Sequence, residues 1–336
     1  MRMLVLGGTV FLSRAVATDA LARGHEVTCA ARGSSGEPPE GAEFVRVDRD
    51  DADGYAALAG RSYDAVVDVA RQPSHVHGAL RALADRAGHW TFVSTISVYA
   101  DDATPGQRPD TGTLHPPLAP GQDEADPQYY GWSKVSCEEA VADAFGERAF
   151  VLRAGLIVGP GDPSNRFGYW VERVARGGEL LAPGGPAELV QYVDVADLAD
   201  WIVRGAEQSL TGTFDAIGPP LDRWELLSRI AVGVHTRIEP VWVDQDFLLA
   251  RDVSPWAGPR SLPMWLPLPA YAGLMTHDAV PAVDAGLRIR DLADTARDVR
   301  AWQLSDDAGP RSPAGLSVEE EVELLSAWRA SGRAIE

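Results

Sequence analysis

Two residues four positions apart, Tyr130 and Lys134 in the stretch YYGWSK, could transfer protons. The residues that follow have a helical pattern, so both side chains would lie on one face of a helix, one turn apart. A phenol is a weak acid, with an ordinary pKa of about 10, and a neighbouring ammonium group stabilises its phenolate form. The pair therefore predicts proton exchange with a substrate hydroxyl or carbonyl group. Tyr129 competes for this role, but the residue four positions after it is Ser133, which carries no charge.

Two glycines near the start of the chain could bind a phosphate group. The apolar run MLVL leads directly into GGTVFLS and then into a helical pattern. Gly7 and Gly8 permit a tight turn and let backbone N–H groups approach a pyrophosphate at a helix N-terminus. Glycine can also occur at such a turn only because it tolerates backbone angles that other residues avoid, without any phosphate bound. At this position in the chain the turn favours a dinucleotide site, formed with the residues that follow: Thr9, Val10, Phe11 and Leu12.

These residues must be positioned by a sheet with helices on both faces. The first half of the chain alternates short apolar runs with amphipathic stretches, which predicts an α/β protein with a doubly wound parallel sheet. The predicted strands are 3–6, 26–30, 44–47, 65–69, 91–94 and 150–153, and the predicted helices are 14–23, 55–59, 75–87 and 130–145. Ligands bind at the carboxyl ends of strands in such a fold.

The same motifs resemble those of the extended short-chain dehydrogenases, also called the NAD-dependent epimerase/dehydratase family, whose turn reads GGTGFLG. The stretches LRAGLIVGPGD, YVDVADLA, GTFDAIG and AGLRIRDLADTARDVRAW also resemble family landmarks, so the similarity extends from residue 1 to about residue 302. It implies a Rossmann-like domain at 1–160, rejoined by 189–216. Residues 161–188 and 217–336 are predicted to form a smaller C-terminal substrate-binding subdomain.

The resemblance also predicts how the cofactor is held. Val10 and Ser13 stand where the family has two further glycines, and the branched Val10 limits the approach of the backbone to a pyrophosphate. Ala31 replaces the aspartate that binds ribose hydroxyls in NAD-preferring relatives. Arg32 follows it and could pair with a 2′-phosphate, which favours NADP, with NAD as the alternative. An exposed loop arginine without a ligand is the other interpretation.

The third catalytic residue implied by the family is a serine or threonine at the end of the fifth strand. That strand ends FVSTISVY, and counting back from Tyr99 assigns the role to Thr95. Ser94 and Ser97 are alternatives. These hydroxyls could instead only form hydrogen bonds with backbone groups at the end of the strand.

Further contacts are expected from the predicted strand ends and from an apolar, proline-rich segment, 254–275, which could either wall a substrate pocket or cap the core. The additional predicted cofactor contacts are Asp48, Arg49, Val69, Ala70, Lys134 and Ala154. The predicted substrate contacts are Thr95, Ile96, Tyr130, Leu156 and Trp265.

Departures from the family pattern narrow the predicted reaction. Dehydratases carry Thr-Asp-Glu where this chain has Thr95-Ile96-Ser97, and UDP-sugar epimerases carry an asparagine and an arginine where it has Leu156 and Val190. We therefore expect an oxidoreductase, specifically an NADPH-dependent reductase of a small carbonyl or imine compound. A sugar-nucleotide epimerase with bound NAD is the first alternative. A non-catalytic dinucleotide-binding sensor is the second.

Composition excludes several other classes of function. Among 336 residues, 49 acidic and 30 basic side chains give a formal charge of −19, which disfavours nucleic-acid binding. No apolar stretch is long enough to span a membrane. Two cysteines imply no disulfide framework, so we expect a cytoplasmic protein. His75 and His77 have no further ligands at metal-binding spacing, so no metal is expected. Family members often dimerise through the helices flanking the Tyr–Lys element, which suggests a homodimer.

Overall fold

A computed structural model describes residues 1–306, 308–309 and 311–332. Its strands are β1 (Arg2–Leu6), β2 (Glu26–Ala31), β3 (Glu43–Arg46), β4 (Tyr63–Asp68), β5 (Ala87–Thr95), β6 (Ala149–Ala154), β7 (Ile157–Val158), β8 (Gly178–Pro183), β9 (Leu189–Val190), β10 (Val193–Asp194), β11 (Gly212–Ala216), β12 (Leu221–Asp222), β13 (Ile238–Val243), β14 (Ser254–Trp256) and β15 (Ser261–Pro263). Its α-helices are α1 (Phe11–Ala22), α2 (Pro73–Leu83), α3 (Tyr130–Phe145), α4 (Arg166–Ala175), α5 (Val195–Glu207), α6 (Arg223–Gly233), α7 (Gln245–Leu249), α8 (Val280–Asp284), α9 (Leu292–Gln303) and α10 (Val318–Ala330).

Seven parallel strands form the central sheet, in the order β11-β6-β5-β4-β1-β2-β3. From β1 the chain continues through β2 and β3 in one direction, and from β4 it proceeds through β5, β6 and β11 in the other. The switch point therefore lies between the carboxyl ends of β1 and β4, where doubly wound sheets bind ligands. The predicted Rossmann-like fold class is confirmed.

Strand β1 shows why the sheet strands are continuous apolar runs. Met3 and Val5 pack on one face with the core that includes α1 and α5, whereas Leu4 and Leu6 pack on the other face with the core that includes α2 and α3. Because successive strand residues point to opposite faces, a strand covered by helices on both sides must be apolar at every position.

A second apolar core lies in the C-terminal half of the chain. Strands β8 and β13 pair in parallel, and helices α4, α6, α9 and α10 contribute side chains to the core around them. Ser317 caps α10 by accepting a hydrogen bond from Glu320, and Trp328 of the same helix is buried. The division of the chain into the predicted ranges stays a prediction. Helix α8, in the range assigned to the subdomain, packs against β11 of the sheet.

The predicted strands of the first half all occur, with ends shifted by up to four residues, and helix 130–145 has the predicted bounds. One expectation was wrong. Residues 55–59 form only a short 3-10 turn, Ala56–Leu58. In the range 189–216, β9 pairs with β12 and β10 pairs with β7, so neither adds to the sheet, whereas β11 forms one edge of the sheet. Within the described residues, no helix has the length and apolar character needed to cross a membrane.

Candidate active site

The glycine turn joins β1 to α1 and has the geometry of a phosphate-binding turn. Gly7 and Gly8 have φ values of 129° and 87°, and a Cβ atom at Gly8 would lie 2.3 Å from Sγ of Cys29. Only glycine fits there. Val10 precedes α1 without a side-chain capping hydrogen bond, so backbone N–H groups of the first turn remain available for an anion. Ser13 donates to the carbonyl oxygen of Val10 at 2.8 Å. The turn therefore fits a dinucleotide pyrophosphate.

A cavity of about 190 Å³ adjoins this turn at the carboxyl ends of β1, β2 and β3. Arg32 and Asp48 line it, together with Gly7, Thr9 and Ala31 among others. The Arg32 side chain is 59% exposed and lies 3.6 Å from a carboxylate oxygen of Asp50. His75 contacts the same carboxyl group at 2.7 Å and holds the pKa of Asp50 below its usual range. Arg32 is therefore free to meet a ligand at the cavity mouth.

Arg49 lines the same cavity, but its guanidinium group is already engaged. Its two Nη atoms donate to the carboxylate of Asp68 at 2.8 and 3.0 Å, and Nη2 also donates to the carbonyl oxygen of His75. Arg49 therefore links the loop after β3 to the carboxyl end of β4, and its contact with a cofactor stays a prediction. The side chain of Leu12 is buried in the core beneath α1, so a cofactor contact of Leu12 would involve its backbone.

Four other predicted cofactor residues lie at the start of α1 or at the carboxyl ends of β4 and β6. Val69 lies next to Gly7, since a Cβ atom built at Gly7 would be 3.5 Å from its Cγ2. Phe11 approaches the loop that follows β7, with its Cδ2 atom 3.9 Å from a Cβ atom built at Gly161. The carbonyl oxygen of Ala70 accepts a hydrogen bond from Lys134. Ala154 pairs with Thr95 across β5 and β6.

Tyr130 is the first residue of α3 and Lys134 lies one turn further along the helix, as the spacing predicts. Lys134 is buried, and its Nζ donates to the carbonyl oxygens of Ala70 and Val93 at 2.7 and 2.6 Å. These carbonyls lie at the ends of β4 and β5, so the sheet holds the ammonium group in place. Because an ammonium group has three donors, one N–H of Lys134 remains for a ligand.

The three hydroxyls at the end of β5 have different partners. Ser94 donates to Glu138 of α3 at 2.5 Å and is thereby engaged. Thr95 accepts from the backbone N–H of Ser97 at 3.1 Å, and its Oγ1 lies 3.2 Å from the hydroxyl of Ser97. Thr95 thus stands at the last position of the strand, and it stays the preferred candidate for the third catalytic residue.

One arginine that no motif singles out lies beside Tyr130. The Arg71 guanidinium carbon is 5.1 Å from the centre of the Tyr130 ring. Burial lowers the pKa of Arg166, at the start of α4, while the charges of Asp162 and Tyr130 oppose that decrease. The only available signal in the sequence was an arginine directly after the loop PGDPSN.

The predicted substrate contacts need a correction. Ile96, Leu156 and Trp265 are buried in apolar clusters, and Trp265 has no exposed surface. A cavity of about 700 Å³ lies next to Trp265 in the chain, lined by residues that include Pro105, Leu189, Arg223, Met264, Leu266, Leu268, Tyr271 and Met275. In the segment 254–275, Trp265 therefore packs into the core while its neighbours Met264 and Leu266 face the cavity, and a substrate in that cavity stays a prediction. Among the described residues, no group of three or more potential metal ligands occurs.

Comparisons with known proteins agree with this architecture. Residues 3–214 match the model of the NAD dependent epimerase/dehydratase family. The dTDP-6-deoxy-L-talose 4-dehydrogenase (NAD(P)(+)) of Kitasatospora kifunensis is 29% identical over 304 residues, which cover 78% of this chain and 92% of that protein.

Solved structures show the same fold at lower identity. A putative epimerase from Burkholderia cenocepacia J2315 has a TM-score of 0.68 at 20% identity, covering 90% of this chain and 98% of its own. WbmH of Bordetella bronchiseptica, solved in complex with NAD+, has a TM-score of 0.64 at 16% identity, covering 91% and 99%.

Proposed function

Because the chain belongs to the NAD dependent epimerase/dehydratase family, enzymes of the extended short-chain dehydrogenase type, we propose that it is an NAD(P)-dependent oxidoreductase interconverting a ketone and an alcohol. The observation that carries the proposal is the placement of Tyr130 and Lys134. They lie one turn apart at the start of α3, and hydrogen bonds from Lys134 to Ala70 and Val93 fix the ammonium group at the ends of β4 and β5. The glycine turn opens at the same edge of the sheet.

Each residue of the site has a distinct task in this proposal. Tyr130 donates a proton to the substrate oxygen during reduction and accepts it during oxidation. Lys134 keeps a positive charge one helical turn away, which stabilises the phenolate that Tyr130 becomes. Thr95 donates a hydrogen bond to the same oxygen and orients it. A bound nicotinamide supplies or accepts the hydride.

NADP is the preferred cofactor in this proposal, and NAD is the alternative. Arg32 supports NADP, because its exposed guanidinium stands at the mouth of the cavity beside Ala31. A 2′-phosphate there would form charge-assisted hydrogen bonds with Arg32.

A sugar-nucleotide dehydrogenase or epimerase is the second candidate for the reaction. The observation that favours it is the similarity to a dTDP-6-deoxy-L-talose 4-dehydrogenase, which supports this class over a reductase of small carbonyl or imine compounds specifically. The non-catalytic sensor is supported less well, because a sensor has no use for a buried Lys134 beside Tyr130.

The test is nicotinamide absorbance with NADPH and NADH over a panel of dTDP- and UDP-linked 4-keto sugars, small ketones and cyclic imines. We expect turnover that falls by about 100-fold or more in Tyr130→Phe, since the proton donor is lost. Tyr129→Phe is the matched control and should keep near wild-type activity. An epimerase would instead release NAD on denaturation and invert a sugar without net cofactor oxidation. Turnover retained in Tyr130→Phe would contradict the proposal.

A further inference from the structure

The cavity of about 700 Å³ beside the second apolar core is lined mainly by apolar residues, among them Leu266, Leu268 and Met275. Leu189 and Tyr271 also line it, and they are 43% and 36% exposed. Large apolar side chains that stay exposed within one concave site indicate ligand binding. The walls of this cavity therefore suit a compound whose body is apolar.

Arg223 is a buried charged residue in the wall of this cavity, and only 3% of its surface is exposed. Its Nη1 donates to the carbonyl oxygen of Met264 at 3.5 Å, and its Nη2 donates to the carboxylate of Glu188 at 3.4 Å. Both distances are at the long limit for a hydrogen bond. Its Nε is buried and has no hydrogen-bond partner among the described residues. Because Met264 and Glu188 line the same cavity, the guanidinium group lies at the cavity wall between them.

This guanidinium group is short of hydrogen-bond acceptors. Burial lowers the pKa of Arg223, and the charge of Glu188 opposes that decrease. A buried donor without an acceptor costs free energy, so a ligand that supplies an acceptor would stabilise the group. Two other polar side chains of the cavity have partners within the chain. Thr276 donates to the carbonyl oxygen of Ala272 at 2.6 Å, and Glu188 accepts from the backbone N–H of Gly185 at 2.8 Å.

The charges in the cavity wall cancel. Among the residues that line it, the charged ones are Arg223 and Glu188, and they form an ion pair with each other. An anionic ligand would add a net negative charge to these apolar surroundings, which is unfavourable. A nucleoside diphosphate group carries several negative charges, so the cavity disfavours it more strongly. An uncharged acceptor, such as a ketone or amide carbonyl group, can bind Arg223 and leave the charge balance unchanged.

We propose that this cavity binds an uncharged compound with an apolar body and a carbonyl oxygen that accepts a hydrogen bond from Arg223. The apolar body would lie against Leu266, Leu268 and Met275. The proposal goes beyond the proposed function, because it assigns a second binding site and does not depend on proton transfer at Tyr130.

The experiment measures probe binding by equilibrium dialysis, with each probe quantified by liquid chromatography. 2-Acetylnaphthalene is the uncharged ketone, 2-naphthoate has the same ring system with a carboxylate, and dTDP is the nucleotide. Arg223→Met removes the donors, Glu188→Gln removes the negative charge at nearly constant shape, and Met275→Trp fills the cavity. Arg260→Met is the matched control, since Nη1 of Arg260 also pairs with a glutamate, Glu320, at 3.3 Å, and Arg260 is not one of the lining residues.

The wild type should bind 2-acetylnaphthalene about tenfold more tightly than 2-naphthoate, because the carboxylate adds an uncompensated charge. Arg223→Met should weaken ketone binding by about tenfold, the effect of one lost hydrogen bond to a charged group. In Glu188→Gln the remaining charge is positive, so 2-naphthoate should bind more tightly than it binds the wild type. Met275→Trp should prevent ketone binding, and Arg260→Met should bind as the wild type does.

Ketone binding that is unchanged in Arg223→Met or in Met275→Trp would overturn the assignment, as would the absence of ketone binding. A wild type that prefers 2-naphthoate or dTDP, with that binding lost in Met275→Trp, would show that the cavity takes anions instead. If Arg223→Met does not fold, the gain of 2-naphthoate binding in Glu188→Gln decides the role of Arg223. Because the measurement needs no turnover, its result is independent of the Tyr130→Phe test, and the two proposals can fail separately.

Discussion

Arg32 and Arg49 stand at the same cavity and differ in what their guanidinium groups already bind. Both Nη atoms of Arg49 donate hydrogen bonds to Asp68, whereas the Arg32 side chain is exposed and lies 3.6 Å from Asp50. An exposed pair at that distance contributes little free energy. Arg32 can therefore leave Asp50 for a more strongly charged partner, and the carboxylate of Asp50 opposes a phosphate at the same place.

Replacing Arg32 tests the cofactor preference. Arg32→Ser should weaken NADPH binding by about tenfold or more, equivalent to about 1.4 kcal/mol, and should leave NADH binding nearly unchanged. The reason is that only NADPH carries the 2′-phosphate. Fluorescence titration of each reduced cofactor measures both constants.

Asp50→Asn is the complementary variant. It removes the carboxylate next to Arg32, so NADPH binding should strengthen relative to NADH. A fall in NADH affinity of equal size in Arg32→Ser would show that Arg32 contacts a part common to both cofactors.

A buried network of hydrogen-bonded side chains links α3, β6 and β11. Tyr99 donates to Asp215 of β11 at 2.8 Å and accepts from Arg153 of β6 at 3.0 Å. Arg153 also pairs with Glu138 of α3 at 2.8 Å, and His277 lies 3.0 Å from Asp215. Burial, reinforced by the charge of Asp215, raises the pKa of Tyr99, so its phenol stays protonated and keeps donating.

Removing the hydroxyl of Tyr99 should show how much these buried hydrogen bonds contribute to the free energy of unfolding. Tyr99→Phe leaves Asp215 and Arg153 each short of one hydrogen bond, so we expect a loss of about 1–3 kcal/mol in the free energy of unfolding. Tyr192→Phe is the control, because Tyr192 is also buried and its hydroxyl has no hydrogen-bond partner within the described ranges. Urea unfolding measures both. Equal losses in the two variants would mean that the ring environment, and not the hydrogen bonds, decides the effect.

At this scale the sequence predicts elements better than it predicts side-chain direction. The strands from β1 to β6 are foreseeable because continuous apolar runs between turns have few other solutions. Residues 189–193 are also mostly apolar, but their two short halves find local partners, β12 and β7, which no pattern reveals. The predicted substrate contact of Trp265 fails for a related reason, since the face that Trp265 presents depends on packing between distant segments.

Apolar packing in the described residues has two main regions: the cores on the two faces of the sheet, and the second core around β8 and β13. Helix α10 closes the second core: Trp328 packs edge-on against Phe247 with ring centres 4.9 Å apart. The same helix carries Glu321, which is buried. Its carboxylate accepts hydrogen bonds from Nε of Arg173 at 2.6 Å and from the backbone N–H of Leu181 at 2.9 Å.

The pair of Arg173 and Glu321 should therefore control how firmly α10 is attached. Arg173→Met leaves a buried carboxylate without its counter-charge, and we expect a loss of about 3–5 kcal/mol in the free energy of unfolding. The double variant Arg173→Met/Glu321→Leu should recover much of that loss, because it buries neither charge. Urea unfolding followed by tryptophan fluorescence gives the free energies, and NADP+ binding reports separately on the core around the sheet. A single variant as stable as the wild type would mean that α10 moves to expose Glu321 to water, so that the second core does not depend on this ion pair.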